Sequence, residues 1–168
     1  MKKWLAAILA GFMICTMCAC SGSMDSDAWK KKYQTFELDH LTVYVPKEYV
    51  MTDVAEAPDS WNLAKQSEKL VVMASLDSYE LLEKYGLEID NIEDFTNLAT
   101  ASVKNPSITY DKDRAEITYQ NDDIGYYYVV GIYKTSAGYW SLNFVCTVED
   151  RPAMEKDMAD WLRLVEFN

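Results

Sequence analysis

Few residues in this chain are able to do chemistry. It holds one histidine, His40, and four cysteines, Cys15, Cys18, Cys20 and Cys146, beside 27 acidic residues. A lone imidazole cannot build a histidine-based metal centre, which takes several nitrogen or sulfur ligands. His40 follows Asp39 between two strand-like runs, the place of a surface turn residue. No G-x-S-x-G elbow is present to seat a serine nucleophile. Cys146 lies in an apolar run, where a thiol is expected to be buried, with a raised pKa and little reactivity. Two acidic sets, Asp111/Asp113/Glu116 and Asn121/Asp122/Asp123 before Gly125, invite a calcium test. Calcium takes about 6–8 oxygen ligands, and neither set has the spacing of a calcium loop. Both read as hairpin turns, where Asp and Asn bond their own backbone. A carboxylate pair for glycoside hydrolysis, drawn from so many acids, is arbitrary. There is no phosphate-cradling glycine motif either, so neither a metal nor a cofactor is expected.

Cys20 has a more definite context. Lys2 and Lys3 precede an apolar run from Trp4 to Met17, and the small residue Ala19 stands just before Cys20. These are the charged, apolar and cleavage regions of an export signal. The apolar run is too short for a spanning helix, which needs about 20 residues. The sequence Met17-Cys18-Ala19-Cys20, followed by Ser21-Gly22-Ser23, resembles the lipobox of bacterial lipoproteins. Cys15 and Cys18 are poorer acceptors, because bulky Ile14 and Met17 precede them. The resemblance implies cleavage after Ala19 and acylation (palmitate) of Cys20. It further implies a cell-envelope location on the extracytoplasmic face of the cell membrane. The signal is similar to those of small clostridial-type lipoproteins, which favours a Gram-positive source. A plain secreted protein and an uncleaved anchor are the alternatives.

The expected division is a signal peptide at 1–19, the lipidated cysteine and tether at 20–32, and a single domain at 33–168. Loss of residues 1–19 leaves 149 residues and, with Lys2 and Lys3 gone, takes the formal charge from −11 to −13. That length supports one hydrophobic core. That charge repels phosphate backbones, so no nucleic-acid partner is expected. Lys30-Lys31-Lys32 follow Trp29 and either rest on headgroups or form an ordinary solvated charge run, the preferred reading. Only Cys146 remains free after processing, so no internal disulfide forms. The tether from Ser21 to Ala28 reaches at most about 28 Å.

Those side chains need elements to position them. Leu41, Val43 and Val45 alternate with Thr42 and Tyr44, the period of a half-buried strand, and Pro46 ends it. Phe36–Leu38 is a strand before it. Trp61 with Leu63, and then Leu70–Ala74, are two more. Helices are expected at 78–85, with Asp77 as N-cap and Gly86 as stop, and from Asn91 to about Val103. Ile92, Phe95, Leu98, Ala99 and Val103 would make the apolar face of the second. Strands follow at 108–110, 115–120, 126–135 and 139–148. A last helix over 152–164 carries Met154, Met158, Trp161 and Val165 on one stripe.

The hairpin between the last two strands sets which side chains share a face. A three-residue loop, Ser136-Ala137-Gly138, opposes Thr135 and Tyr139. It joins Tyr126, Tyr128, Val130 and Ile132 to Trp140, Leu142, Phe144, Cys146 and Val148 on one dry face for the last helix. A shift of one residue would mix polar Ser141, Asn143 and Thr147 into that set. Ala115, Ile117 and Tyr119 are expected on the dry side. The other face then carries Tyr127, Val129, Gly131 and Tyr133 beside Tyr139, Ser141, Asn143 and Val145. Tyrosine joins a flat apolar body to a polar tip. On that ground Tyr127, Tyr133, Tyr139 and Asn143 are the candidate binding residues. A face covered by the 91–103 helix, or merely solvated, is the plainer alternative and the weightier one.

The order of elements, from about Phe36 to Phe167, resembles the PsbP-like fold, also found in DcrB-type bacterial lipoproteins. The resemblance implies an α+β domain: a central antiparallel sheet of about five to seven strands flanked by helices. A lipocalin-like barrel is the architectural alternative. It also implies a non-enzymatic binding or accessory domain with an unknown protein or small-molecule partner. The alternative is a hydrolase using carboxylates or a bound cation.

Overall fold

The computed structural model describes residues 28–167. Cys20 and Ala19 lie outside the described residues. A 3-10 turn, Ala28–Lys32, leads into β1 (Tyr33–Leu38) and β2 (Leu41–Pro46), a two-stranded hairpin. Its tight turn is Asp39-His40, and exposed His40 takes a left-handed φ of 65°. Then come β3 (Thr52–Asp53), β4 (Leu63–Gln66), β5 (Val71–Ser78), α1 (Tyr79–Lys84) and α2 (Ile92–Ala99). The chain closes with β6 (Ser107–Asp111), β7 (Arg114–Asn121), β8 (Tyr126–Lys134), β9 (Gly138–Thr147) and α3 (Arg151–Leu162).

The main sheet has seven antiparallel strands in the order β3-β4-β5-β9-β8-β7-β6. It is open, with β3 and β6 as edges, which excludes the closed barrel. Both acidic sets fall at β-turns except for Glu116, which lies inside β7: Asp111 and Arg114 pair across one turn, and Gly125 takes a φ of 76° in the other.

Each sheet face is covered. On one side α3 lays Met154, Met158, Trp161 and Leu162 against Tyr127, Val129, Tyr133, Trp140, Leu142, Phe144 and Cys146. Leu41, Val43 and Val45 of β2 close the same core. On the other side Leu82 of α1, with Ile92 and Phe95 of α2, covers Ala115, Ile117, Val130, Ile132 and Tyr139.

This pairing corrects the expected hairpin. Lys134 pairs with Tyr139 and Tyr133 with Trp140, so four residues, 135–138, make the connection. Thr135 N–H and its hydroxyl both donate to the Gly138 carbonyl, at 2.9 and 3.0 Å. Trp140, Leu142, Phe144 and Cys146 do face α3, but with Tyr127, Val129, Gly131 and Tyr133. The expected partners Val130 and Ile132, and with them Ala115 and Ile117, lie under α1 and α2. The expected pairing presupposes one dry face. With helices on both sides, the sheet has two.

Two further boundaries differ. Ala28–Lys32, at the end of the expected tether, forms a 3-10 turn. Trp29 packs edge-on against Tyr33 and Tyr44, and Lys30 Nζ lies 2.8 Å from a Glu166 oxygen near the other end of the chain. The basic triplet is therefore split, with Lys30 turned to Glu166. The α2 helix stops at Ala99, short of Val103.

One ionic clamp fixes α3 to the sheet. Tyr127 Oη donates to Glu155 Oε1 at 2.5 Å, and Arg151 donates to both Glu155 oxygens at 3.1 and 3.2 Å. The Arg151 guanidinium lies 4.2 Å over the Tyr127 ring, and it also donates to Gln120 Oε1. Hydrogen bonds from Arg151 first, and Tyr127 next, hold the Glu155 carboxyl below its ordinary value of 4.5. A lowered folded pKa stabilises the fold above the unfolded value and loses that stability as pH falls through the lower one. The melting temperature is therefore expected to fall on acidification below about pH 4.5, and Glu155→Gln to make that fall shallower. Identical slopes for the two proteins between about pH 3 and 5 would remove the clamp from the account.

Candidate functional site

The four residues expected to form one binding face do not do so. Tyr127 and Tyr133 lie on the α3 side and are buried. Tyr133 Oη donates to the Leu162 carbonyl at 2.6 Å, which ties the end of α3 to β8. Burial, followed by its bond to Glu155, pushes the Tyr127 phenol up to about 12. Tyr139 is buried on the opposite side, stacked on Phe95 at 4.4 Å with Tyr79 edge-on at 5.8 Å. Asn143 shares that second side and is half-buried, opposite Val130 and Met73. Three of the four are thus packing residues. Gly131 serves the same packing, since the Tyr133 ring lies where a Cβ would stand. Cys146 is buried as expected, and burial raises its thiol to about 11.

The side that carries Tyr139 is covered unevenly. The α1 helix is six residues long and α2 eight, too short to roof the sheet. Beyond them Tyr119 and Tyr128 stack at 4.5 Å, half-buried, near Asn143. Between the helices a cleft of about 240 Å³ opens down to the sheet. Its walls are Leu81, Leu82 and Tyr85 of α1 and its cap, and Phe95, Leu98 and Ala99 of α2. Leu87 closes one end. The rim is unusually apolar: Tyr85 is 69% exposed, Leu98 46% and Leu87 37%. Contiguous apolar surface rimming a hollow marks a binding site more often than scattered exposed residues do.

The floor is polar at two points, Asp77 of β5 and Ser141 of β9. Local sequence explains why Asp77 is free to face the cleft. It was the expected cap of α1, but Ser78 performs that role, accepting from Leu81 N–H at 3.1 Å. Asp77 pairs with Tyr139 in the β5–β9 ladder and so points to the helix-covered side. It is half-buried, and burial alone raises its carboxyl above the ordinary carboxylate value. Among the described residues no group donates a hydrogen bond to it.

Two other hollows are built differently. One of about 550 Å³ lies between the segment after α2 and the β7–β8 turn, where exposed Asp123 pairs with Lys104 at 3.2 Å and Gln120 donates to Asp122. The other, about 360 Å³, lies by the β6–β7 turn and the chain end, with Asp111 paired to Arg114. Their acids already have partners. Among the described residues no group of three or more His, Cys, Asp or Glu is placed to hold a metal ion. No helix among them is long and apolar enough to cross a membrane.

Sequence reading missed the cleft because it placed Leu98 and Ala99 on a buried stripe of α2. The available signal was length: a helix ending at Gly86 is too short to cover them.

No family model matches the chain, and no curated protein matches it. Among solved structures, the chain is similar to the solution structure of cyanobacterial PsbP (CyanoP) from Synechocystis sp. PCC 6803. The identity is 10%, the TM-score 0.54, and the match covers 82% of this chain and 93% of that one. At that identity the likeness shows the fold alone: the domain has a PsbP-like α+β architecture, with an open antiparallel sheet and helices on both faces.

Proposed function

We propose that the chain is an extracytoplasmic lipoprotein, of the DcrB-like kind, held to the cell membrane through acylated Cys20. Its domain binds a ligand or partner rather than catalysing a reaction. The observation that carries the binding role is the apolar-rimmed cleft between α1 and α2. The signal-like segment through Ala19-Cys20 supports the anchor, and its resemblance to clostridial-type lipoprotein signals favours a Gram-positive source. A hydrolase would need a second acid convergent on the first, and Asp77 is the one carboxylate lining this cleft.

Binding is tested by adding fractionated cell-envelope extract to the isotope-labelled chain and mapping NMR shifts. Shifts are expected to concentrate on Leu82, Leu98, Phe95 and Ser141. Shifts confined to Asn143, Tyr119 and Tyr128 would move the site to the open part of the sheet. No shift on either would end the binding proposal for this side.

A further inference from the structure

We propose that the α1–α2 cleft takes a small organic cation, with an apolar body among Leu82, Phe95 and Leu98 and an ammonium group against the Asp77 carboxylate. This rests on the binding-domain reading and adds the chemistry of the ligand.

Partly exposed acids elsewhere in this protein have partners. Glu155 is engaged by Arg151 and Tyr127, and Glu166 by Lys30 and Tyr44. Asp77 is the exception: half-buried, on the floor of an apolar cleft, with no donor among the described residues. A carboxylate in apolar surroundings is costly unless paired. A bound ammonium supplies the missing partner, carrying up to three donors. Ser141, also on the cleft floor, offers one more acceptor.

Charge around the cleft favours the same class. Glu80 and Glu83 lie on α1, Glu88 and Asp90 in the connection, and Glu93 and Asp94 in the first turn of α2. Lys84 is the one basic residue in this stretch. Such a field concentrates cations and repels fatty acids and other anions. A neutral apolar molecule would fill the walls and leave Asp77 unpaired. Size sets the scale: the cleft has room for about eight waters' volume, so it takes a single-ring or short-chain body rather than a helix from a partner.

The probe is 2-phenylethylammonium, compared with the neutral isostere 2-phenylethanol, each titrated into the full chain while leucine methyl and aromatic NMR signals are followed. The cation is expected to shift Leu82, Leu98 and Phe95 and to bind at least about tenfold more tightly than the alcohol. Asp77→Asn is expected to erase that difference and leave the alcohol's binding unchanged. Leu98→Trp, a change at the exposed rim, is expected to block both, and it serves as the second variant should Asp77→Asn fail to fold. Equal binding of the two probes, undiminished cation binding in Asp77→Asn, or no cleft shift at about 10 mM would overturn the proposal. If envelope fractions still shift the cleft signals after such a result, the binding domain stands with a different ligand class. If they do not, both fall.

Discussion

Replacing Trp161 by alanine is expected to cost the domain about 3–5 kcal/mol, the range for truncating a large buried aromatic. Trp161 is 5% exposed and joins three parts of the fold. Its ring stands edge-on to Phe144 of β9 at 5.6 Å and to Tyr49, after β2, at 5.5 Å. Both the docking of α3 on β9 and the segment after β2 therefore lean on it. For a domain of this size the melting temperature should fall by about 10–15 °C. Thermal or denaturant unfolding reads the effect. A loss under about 1 kcal/mol would mean that α3 does not dock in this way, because surface changes stay within about 0.5 kcal/mol.

Gly138→Ala is expected to be nearly as damaging, for a different reason. Gly138 opens β9 opposite Ser78 and takes a φ of 144°, which residues with a Cβ rarely adopt. A Cβ there would collide with the Asp77 carbonyl oxygen and come within 2.7 Å of Ser78 Cα. Those atoms are backbone, so relief requires β5 to part from β9 at the floor of the cleft. The cost is expected to be about 2–4 kcal/mol, as for other strained or overpacked sites. Gly86→Ala is the control. Gly86 also has a positive φ, of 69°, but a Cβ there meets nothing within 4 Å, so only the backbone penalty of about 1–2 kcal/mol applies. Denaturant midpoints for the two variants compare them directly. Equal losses would show that the β5–β9 approach is not tight.

Much of the fold was legible in the sequence because its elements obey local rules. Pro46, Gly86, Gly125 and Pro152 sit at element ends, and the Met154/Met158/Trp161 stripe of α3 is buried as its spacing indicates. The β8–β9 register was not legible, and the reason lies in β8 itself. Tyr126, Tyr128, Val130 and Ile132 alternate with Tyr127, Val129, Gly131 and Tyr133, so both faces of the strand are apolar or aromatic. A strand buried on two sides carries no alternation to reveal parity. Ser141 and Asn143 suggested a wet face, but they sit where short helices leave the sheet half-covered. The site suffered most from this. Tyrosines were chosen for their mixed chemistry, and three of the four proved to be packing residues. Asp77 was assigned to capping because both it and Ser78 suit that role. Only the observed bond from Leu81 N–H to Ser78 separates the two.

The proposed acyl anchor at Cys20 would hold this domain, and its cleft, outside the cytoplasm. Metabolic labelling with an alkynyl palmitate tests that most directly, applied to the native chain and to Cys20→Ala, with Cys15→Ala and Cys18→Ala as controls. The native chain and both controls are expected to carry the label in the membrane fraction. Cys20→Ala is expected to lose it and to appear as unprocessed precursor or released protein. Undiminished label on Cys20→Ala would contradict the account.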